Sequence, residues 1–178
     1  IAMFDAYEAV QAEENLAFRL LVGYRWISLL PPLLWLSMSA RTTPFEYSAR
    51  PGYDWWALSF ATGLTLLLTL RSVPINHALL RRPWLLLFDL LPSAVLVWYT
   101  GAERSPYYLY SLAPILAAAF FFHIRGGLLA ATLYTLFYVS LMTVAPRPDE
   151  TAINIPSAVG QMISFFLIGA SFGYPSQL

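Results

Sequence analysis

Six apolar stretches follow one another along the chain and are separated by short polar segments. Their apolar residues occur continuously and do not alternate with polar ones, which favours helices over the strands of an outer-membrane barrel. A helix needs about 20 mostly apolar residues to cross a bilayer, and each stretch is close to that length. The pattern predicts an all-α polytopic membrane protein, with six transmembrane helices in a bundle, at Leu20–Ala40, Trp55–Leu70, Trp84–Thr100, Pro106–His123, Gly126–Ala145 and Ile155–Tyr174.

The composition agrees with a chain that is solvated by lipid. Hydrophobic residues make up 58% of the 178 residues and charged residues 11%, whereas an ordinary soluble domain carries about 25% charged residues. Mean hydropathy is +0.60. Aromatic residues such as Trp84 and Tyr107 fall near predicted helix ends, where interfacial rings anchor a helix. We therefore expect the lipid bilayer as the main partner, and no nucleic acid.

The first 18 residues have a different pattern. Four apolar side chains fall near one helical face, and the acidic residues lie elsewhere, which predicts an amphipathic helix on the membrane surface. The expected organisation is a lead-in helix at 1–18, a six-helix transmembrane domain at 19–174, and the start of a cytoplasmic linker at 175–178. The apolar residues of the lead-in face are Met3, Tyr7, Val10 and Phe18.

The arginines predict an orientation, because cytoplasmic loops carry an excess of basic residues. All ten basic residues are arginines. The pair Arg81-Arg82 in a short loop is the strongest cue, and it places that loop and the N-terminus in the cytoplasm. With an even number of crossings, both termini are predicted to be cytoplasmic in a bacterial inner membrane.

Residues that carry catalytic chemistry are scarce. The chain has no cysteine and no lysine, and its two histidines are His77 and His123. Disulfides, thiolate zinc sites, a P-loop and a Schiff base are therefore excluded within this segment. We predict no metal site and no catalytic residue in it.

Asp89 is the most conspicuous polar residue within an apolar stretch. It lies roughly 7 to 8 Å inside Trp84, at about 1.5 Å per helical residue. An isolated ionised aspartate at the centre of a span costs about 2.5 to 3.5 kcal/mol. We therefore expect Asp89 to face the bundle interior and to pair with Arg81, Arg82 or Arg125. The pair has two possible roles, a structural salt bridge or a coupling and proton-sensing device.

The turn Gly101-Ala102-Glu103-Arg104-Ser105-Pro106-Tyr107 has two interpretations. It is a short hairpin loop, in which glycine permits the reversal and Ser-Pro begins the next helix. Alternatively, the aromatic residues around it form a membrane-level pocket for a flat hydrophobic ligand. The candidate ligand-binding residues are Gly101, Ala102, Ser105, Pro106 and Tyr107.

Two segments carry a resemblance to a known family. The run DLLPSAVLVWYTGAERSPYYLYSLAPILAAAFFFHIRGGLLAAT (89–132) resembles the six-helix N-terminal sensor regions of bacterial membrane histidine kinases. The stretch GYRWISLLPPLLWL (23–36) is similar to the first span of such kinases in Chloroflexus-like bacteria. Redox-sensing RegB-type kinases carry a quinone-associated GGxxNPF turn, and this chain resembles it with three departures, Ala102 for glycine, Ser105 for asparagine and Tyr107 for phenylalanine.

The resemblance implies a function and partners. The chain is then the input module of a dimeric kinase, whose phospho-accepting and catalytic segments follow Leu178 and whose partner is a cytoplasmic response regulator. Quinone becomes the cofactor or ligand to test. Neither His77 nor His123 is the expected phospho-acceptor. The last span, Ile155–Tyr174, transmits the signal through a small-residue face formed by Gly160, Gly169, Ala170 and Gly173.

Two other classes remain open at the sequence level. One is an accessory subunit of a larger bioenergetic or photosynthetic membrane complex, and the other is a transporter component that binds a vitamin-like solute. Six helices with aromatic residues at their ends serve all three classes.

Overall fold

The computed structural model describes residues 19–42, 53–71, 82–144 and 154–173. All regular structure in these ranges is helical, so the all-α class is confirmed for them. The predicted lead-in helix at 1–18 and the linker at 175–178 lie outside the described residues. The helices are α1 (19–28), α2 (Leu30–Thr42), α3 (Tyr53–Leu70), α4 (Leu87–Tyr99), α5 (Tyr108–Ser111), α6 (Ala113–Val144) and α7 (Ile155–Gly173). Short 3₁₀ turns at Pro83–Leu86 and Ala102–Arg104 precede α4 and α5.

Three stretches in the described part of the chain are long and apolar enough to cross a membrane. They are Arg19–Met38, which combines α1 with most of α2, Tyr108–Thr143 and Ile155–Gly173. Two shorter apolar helices, Trp55–Leu70 and Trp84–Tyr99, accompany them. By length and composition, these elements are compatible with a membrane protein.

A proline pair forms the joint between α1 and α2. Pro31 and Pro32 have no backbone N–H, so two hydrogen bonds of a continuous helix cannot form. The chain makes a turn at Leu29, whose N–H donates to Trp26 O at 3.3 Å, and helical bonding resumes with Leu33 N–H donating to Leu29 O at 3.1 Å. The prolines interrupt the helical hydrogen bonds at this joint, but the apolar stretch Arg19–Met38 continues through it.

Helix α6 reverses direction near its middle. Phe122 (φ −122°, ψ 16°) and His123 (φ 58°, ψ −161°) leave the helical region. Residues eight apart in a straight helix are about 12 Å apart, yet a Cβ added to Gly127 would lie 3.0 Å from Ala119 Cβ. The arms 113–121 and 124–144 therefore fold back on each other. The reversal falls on the last two residues of the predicted stretch Pro106–His123, shortly before the predicted stretch Gly126–Ala145 begins.

Glycines bring α7 into backbone contact with this reversal. A Cβ added to Gly169 would lie 2.7 Å from Gly127 O, and one added to Gly173 would lie 2.5 Å from Ile124 Cα. Such distances leave no room for a side chain, because glycine is what allows two helix backbones to approach so closely. Gly160, by contrast, is exposed and would meet nothing within 4 Å. Two members of the predicted small-residue face thus pack within the chain.

Tyrosines occupy much of the core. The side chains of Tyr107, Tyr110, Tyr134 and Tyr138 are fully buried, together with Phe165 of α7. The Tyr134 and Phe165 rings meet edge to face, with centroids 4.8 Å apart, a favoured aromatic geometry. Tyr107 is therefore a core residue and not the interfacial anchor that its position near a helix end predicted.

Candidate functional site

A buried ion pair joins α1 to α4. The Nη2 group of Arg25 donates to Oδ2 of Asp89, 64 positions further along the chain. The two side chains are only 7% and 13% exposed. Asp89 lies in the first turn of α4, where the helix dipole favours a negative charge. Burying a charge without a partner is expensive, so each of the two charges offsets the cost of burying the other.

This pairing corrects the predicted partners of Asp89. Arg82 and Arg125 are exposed in the structure, and Arg81 lies outside the described residues. Exposed arginines are solvated by water and need no carboxylate. Arg25 faces the interior, since α1 and α4 both contribute to the core. The prediction that Asp89 faces inward and pairs with an arginine therefore holds in outline, with a different arginine.

Polar side chains surround the pair. The Arg25 guanidinium lies over the Tyr110 ring, 5.8 Å from its centroid, a cation–π geometry. The Tyr110 hydroxyl lies 3.3 Å from Thr65 Oγ1 and donates to Ala61 O at 3.3 Å. The Ser93 hydroxyl donates to the backbone oxygen of Asp89 at 2.5 Å. A belt of polar groups thus runs from α1 through α4 to α3 and α5.

The pair retains hydrogen-bonding capacity. Arg25 Nη1 and Asp89 Oδ1 are buried and form no hydrogen bond within the described part of the chain. One donor group and one acceptor are therefore available at the same place in the core. The arrangement is suited to holding helices together or to responding to a change in charge. Nor do the described residues bring three His, Asp or Glu side chains together as a metal site.

The predicted ligand-binding turn is tightly packed. Ala102, Ser105 and Tyr107 are buried, and Gly101 and Pro106 are partly exposed. The hydroxyls of Thr100 and Ser105 lie 2.5 Å apart, and the Tyr107 N–H donates to Ser105 Oγ at 3.2 Å. These bonds close the turn on itself, and α7 packs against its 3₁₀ segment. The arrangement favours the hairpin interpretation, and ligand binding at this turn stays a prediction.

An apolar cleft lies elsewhere, between α1, the 112–120 segment and the end of α7. Its volume is about 310 Å³. Sequence reasoning missed it because its walls come from three distant segments. The only signal is apolar spacing at i and i+4, which a lipid-facing surface shows equally well. The lining residues are Leu20, Leu21, Tyr24, Leu112, Leu116, Phe120, Ile168 and Phe172.

Comparison with protein families matches the chain to one family profile. A family profile described as a domain of unknown function, DUF8745, matches residues 18–172. The chain belongs to this family. No curated protein and no solved structure matches it significantly. The matched region runs from α1 to the end of α7, so the ion pair, the packed turn and the cleft all belong to the family domain.

Proposed function

We propose that this DUF8745 domain is the membrane-embedded input module of a bacterial two-component histidine kinase, responding to a quinone or another hydrophobic ligand. The resemblance of residues 89–132 and 23–36 to kinase sensor regions supports the proposal. In this scheme the domain lies in the inner membrane with both termini cytoplasmic. It forms a homodimer through its helices and controls kinase segments that follow Leu178.

The proposal includes six crossings arranged as a bundle. The stretch Tyr108–Thr143 has 36 residues and would be about 54 Å long as a straight helix, against a hydrocarbon core of about 30 Å. The reversal at Phe122 and His123 divides it into two arms. The shorter helices Trp55–Leu70 and Trp84–Tyr99 require local thinning of the bilayer or inclusion of flanking residues.

One observation supports the signalling function: the same helix, α7, lines the cleft and packs against the reversal of α6. Ile168 and Phe172 line the cleft, while Gly169 and Gly173 of the same helix contact the reversal by backbone. A change in what fills the cleft therefore moves α7 relative to the second arm of α6. Small shifts of packed helices are a common way of transmitting a signal.

The experiment uses the full natural protein in lipid nanodiscs. Autophosphorylation from ATP and phosphotransfer to a response regulator are measured with oxidised and with reduced quinone. We expect a quinone-dependent rate. Phe172→Ala, which alters the packing of α7 at the cleft, should change the autophosphorylation rate several-fold, and Leu129→Ala on a lipid-exposed surface should leave it unaltered. Tyr107→Ala tests the predicted turn, and it is expected to weaken any quinone effect if the ligand binds there.

Other outcomes would replace the proposal. Absence of phosphohistidine, together with purification in a stoichiometric membrane complex, would assign the chain as an accessory subunit. Thermal stabilisation by a small solute, without phosphorylation, would favour a transporter component. Identical quinone responses in wild type and Tyr107→Ala would remove the turn as a ligand site.

A further inference from the structure

The cleft is formed by residues from the three stretches that are long and apolar enough to cross a membrane. Leu20 and Leu21 belong to Arg19–Met38, Leu116 to Tyr108–Thr143, and Phe172 to Ile155–Gly173. Leu21 and Leu116 are buried at its floor, whereas Leu20 and Phe172 are exposed at its rim. The cleft is therefore open on the side that these helices present to the bilayer.

The lining offers almost nothing to a polar ligand. Seven of the eight lining side chains are hydrocarbon, and the exception is Tyr24. The Tyr24 hydroxyl already donates to Leu109 O at 2.7 Å. A quinone carbonyl or a charged head group would thus find no free donor among these side chains, and specific pockets usually fix such groups with placed polar atoms. The chemistry of the lining selects a hydrocarbon chain.

The size of the cleft and a charge at its rim indicate the kind of hydrocarbon ligand. The volume of about 310 Å³ is roughly twice the ~150 Å³ of an engineered cavity that binds benzene, so a segment of an aliphatic chain fits. The rings of Phe120 and Phe172, with centroids 6.0 Å apart, flank the cleft. Arg19 is exposed and stands one residue before Leu20, in position to attract an anionic phosphate near the rim.

We infer that this cleft binds one acyl chain of a phospholipid, with the lipid head group near Arg19. The inference rests on the membrane location in the proposed function and not on kinase output. The bound chain is an integral part of the contact between α1, α6 and α7. It completes a surface that the side chains alone leave open.

The test is photolabelling of the purified protein in nanodiscs that contain phosphatidylglycerol with a diazirine on its acyl chain. We expect the label to concentrate on cleft residues such as Leu116 and Phe120, several-fold above Leu129 and Leu136, although these two are the more exposed side chains. Leu20→Trp and Ile168→Trp, which obstruct the rim and the wall, should reduce the cleft labelling several-fold. Leu129→Trp is the matched control and should leave it unchanged.

Retained helical circular dichroism and a similar melting temperature confirm that each tryptophan variant is folded. Uniform labelling along all lipid-facing residues, or cleft labelling that both rim and wall variants leave intact, would overturn the inference. Displacement of the label by equimolar isoprenoid quinone, but not by unlabelled phospholipid, would overturn it by assigning the cleft to a quinone tail. None of these readouts depends on phosphorylation, so failure here and failure of the kinase proposal are distinguishable.

Discussion

Arg25 of α1 and Asp89 in the first turn of α4 are ion-paired in the interior, although 64 positions separate them in the sequence. Each of these two helices directs one charged side chain at the core. Such a pair costs desolvation energy, which the mutual attraction offsets only when both charges are present. The relationship therefore makes the two residues interdependent.

The first prediction concerns removal of one charge. Asp89→Asn leaves the buried Arg25 guanidinium without its counter-charge. Arg25→Ala likewise leaves the Asp89 carboxylate without a positive partner. Each should lower the free energy of unfolding by about 3 to 5 kcal/mol, the range for breaking a buried pair. The measurement is denaturant or thermal unfolding in detergent micelles.

Arg82→Ala and Arg125→Ala are the controls for this pair, because both side chains are exposed. They should change the unfolding free energy by less than about 0.5 kcal/mol. An equal loss of stability for Arg82→Ala and Arg25→Ala would contradict the assigned partner. Full stability of Asp89→Asn would remove the ion pair as a structural element.

The second prediction concerns the glycine contacts of α7. Gly127→Ala and Gly169→Ala place a methyl group against the facing backbone, which cannot yield as a flexible side chain does. Overpacking of this kind typically costs about 1 to 3 kcal/mol. Gly160→Ala on the same helix meets nothing within 4 Å and should be neutral or stabilising by up to about 1 kcal/mol. Unfolding midpoints that are the same for all three variants would show that the helices do not approach as described.

The helical class and the apolar stretches were predictable, because they depend on local composition. The partner of Asp89 was not. Arg25 lies in the opening turns of an apolar stretch, and sequence alone does not show whether such a residue extends to the membrane surface or faces inward. That choice depends on how α1 packs beside α4, which is a tertiary property.

The turn between the two arms of α6 was also predictable only in part from the sequence. The predicted stretches Pro106–His123 and Gly126–Ala145 implied a break between them, and the reversal lies at the end of the first one. The positive φ, however, falls on His123 and not on a glycine. Gly126 and Gly127 lie within the second arm, close to the first arm and α7, and this use of glycine depends on neighbours that are distant in the sequence.

A third prediction addresses the packed turn. Ala102 has φ of 52°, in the left-handed region that costs an L-residue roughly 1 to 2 kcal/mol. Ala102→Gly should therefore stabilise the protein by up to about 1 kcal/mol, once the greater flexibility of unfolded glycine is counted. Ala118→Gly is the matched control, since Ala118 is equally buried but helical. It should destabilise by about 1 kcal/mol, and the same sign of change at both sites in thermal melts would contradict the strained turn.

The last prediction tests strain at the reversal. His123 combines φ of 58° with ψ of −161°, a region occupied almost only by glycine, where other residues are strained by about 1 to 3 kcal/mol. His123→Gly relieves that strain and adds about 0.5 to 1 kcal/mol of backbone entropy cost. His123→Ala loses the same side chain but keeps the strain, so the glycine variant should be the more stable of the two by roughly 1 kcal/mol. The comparison is made by unfolding both variants in the same detergent. A more stable alanine variant would mean that residue 123 adopts ordinary helical angles and that the two arms of α6 form a straight rod.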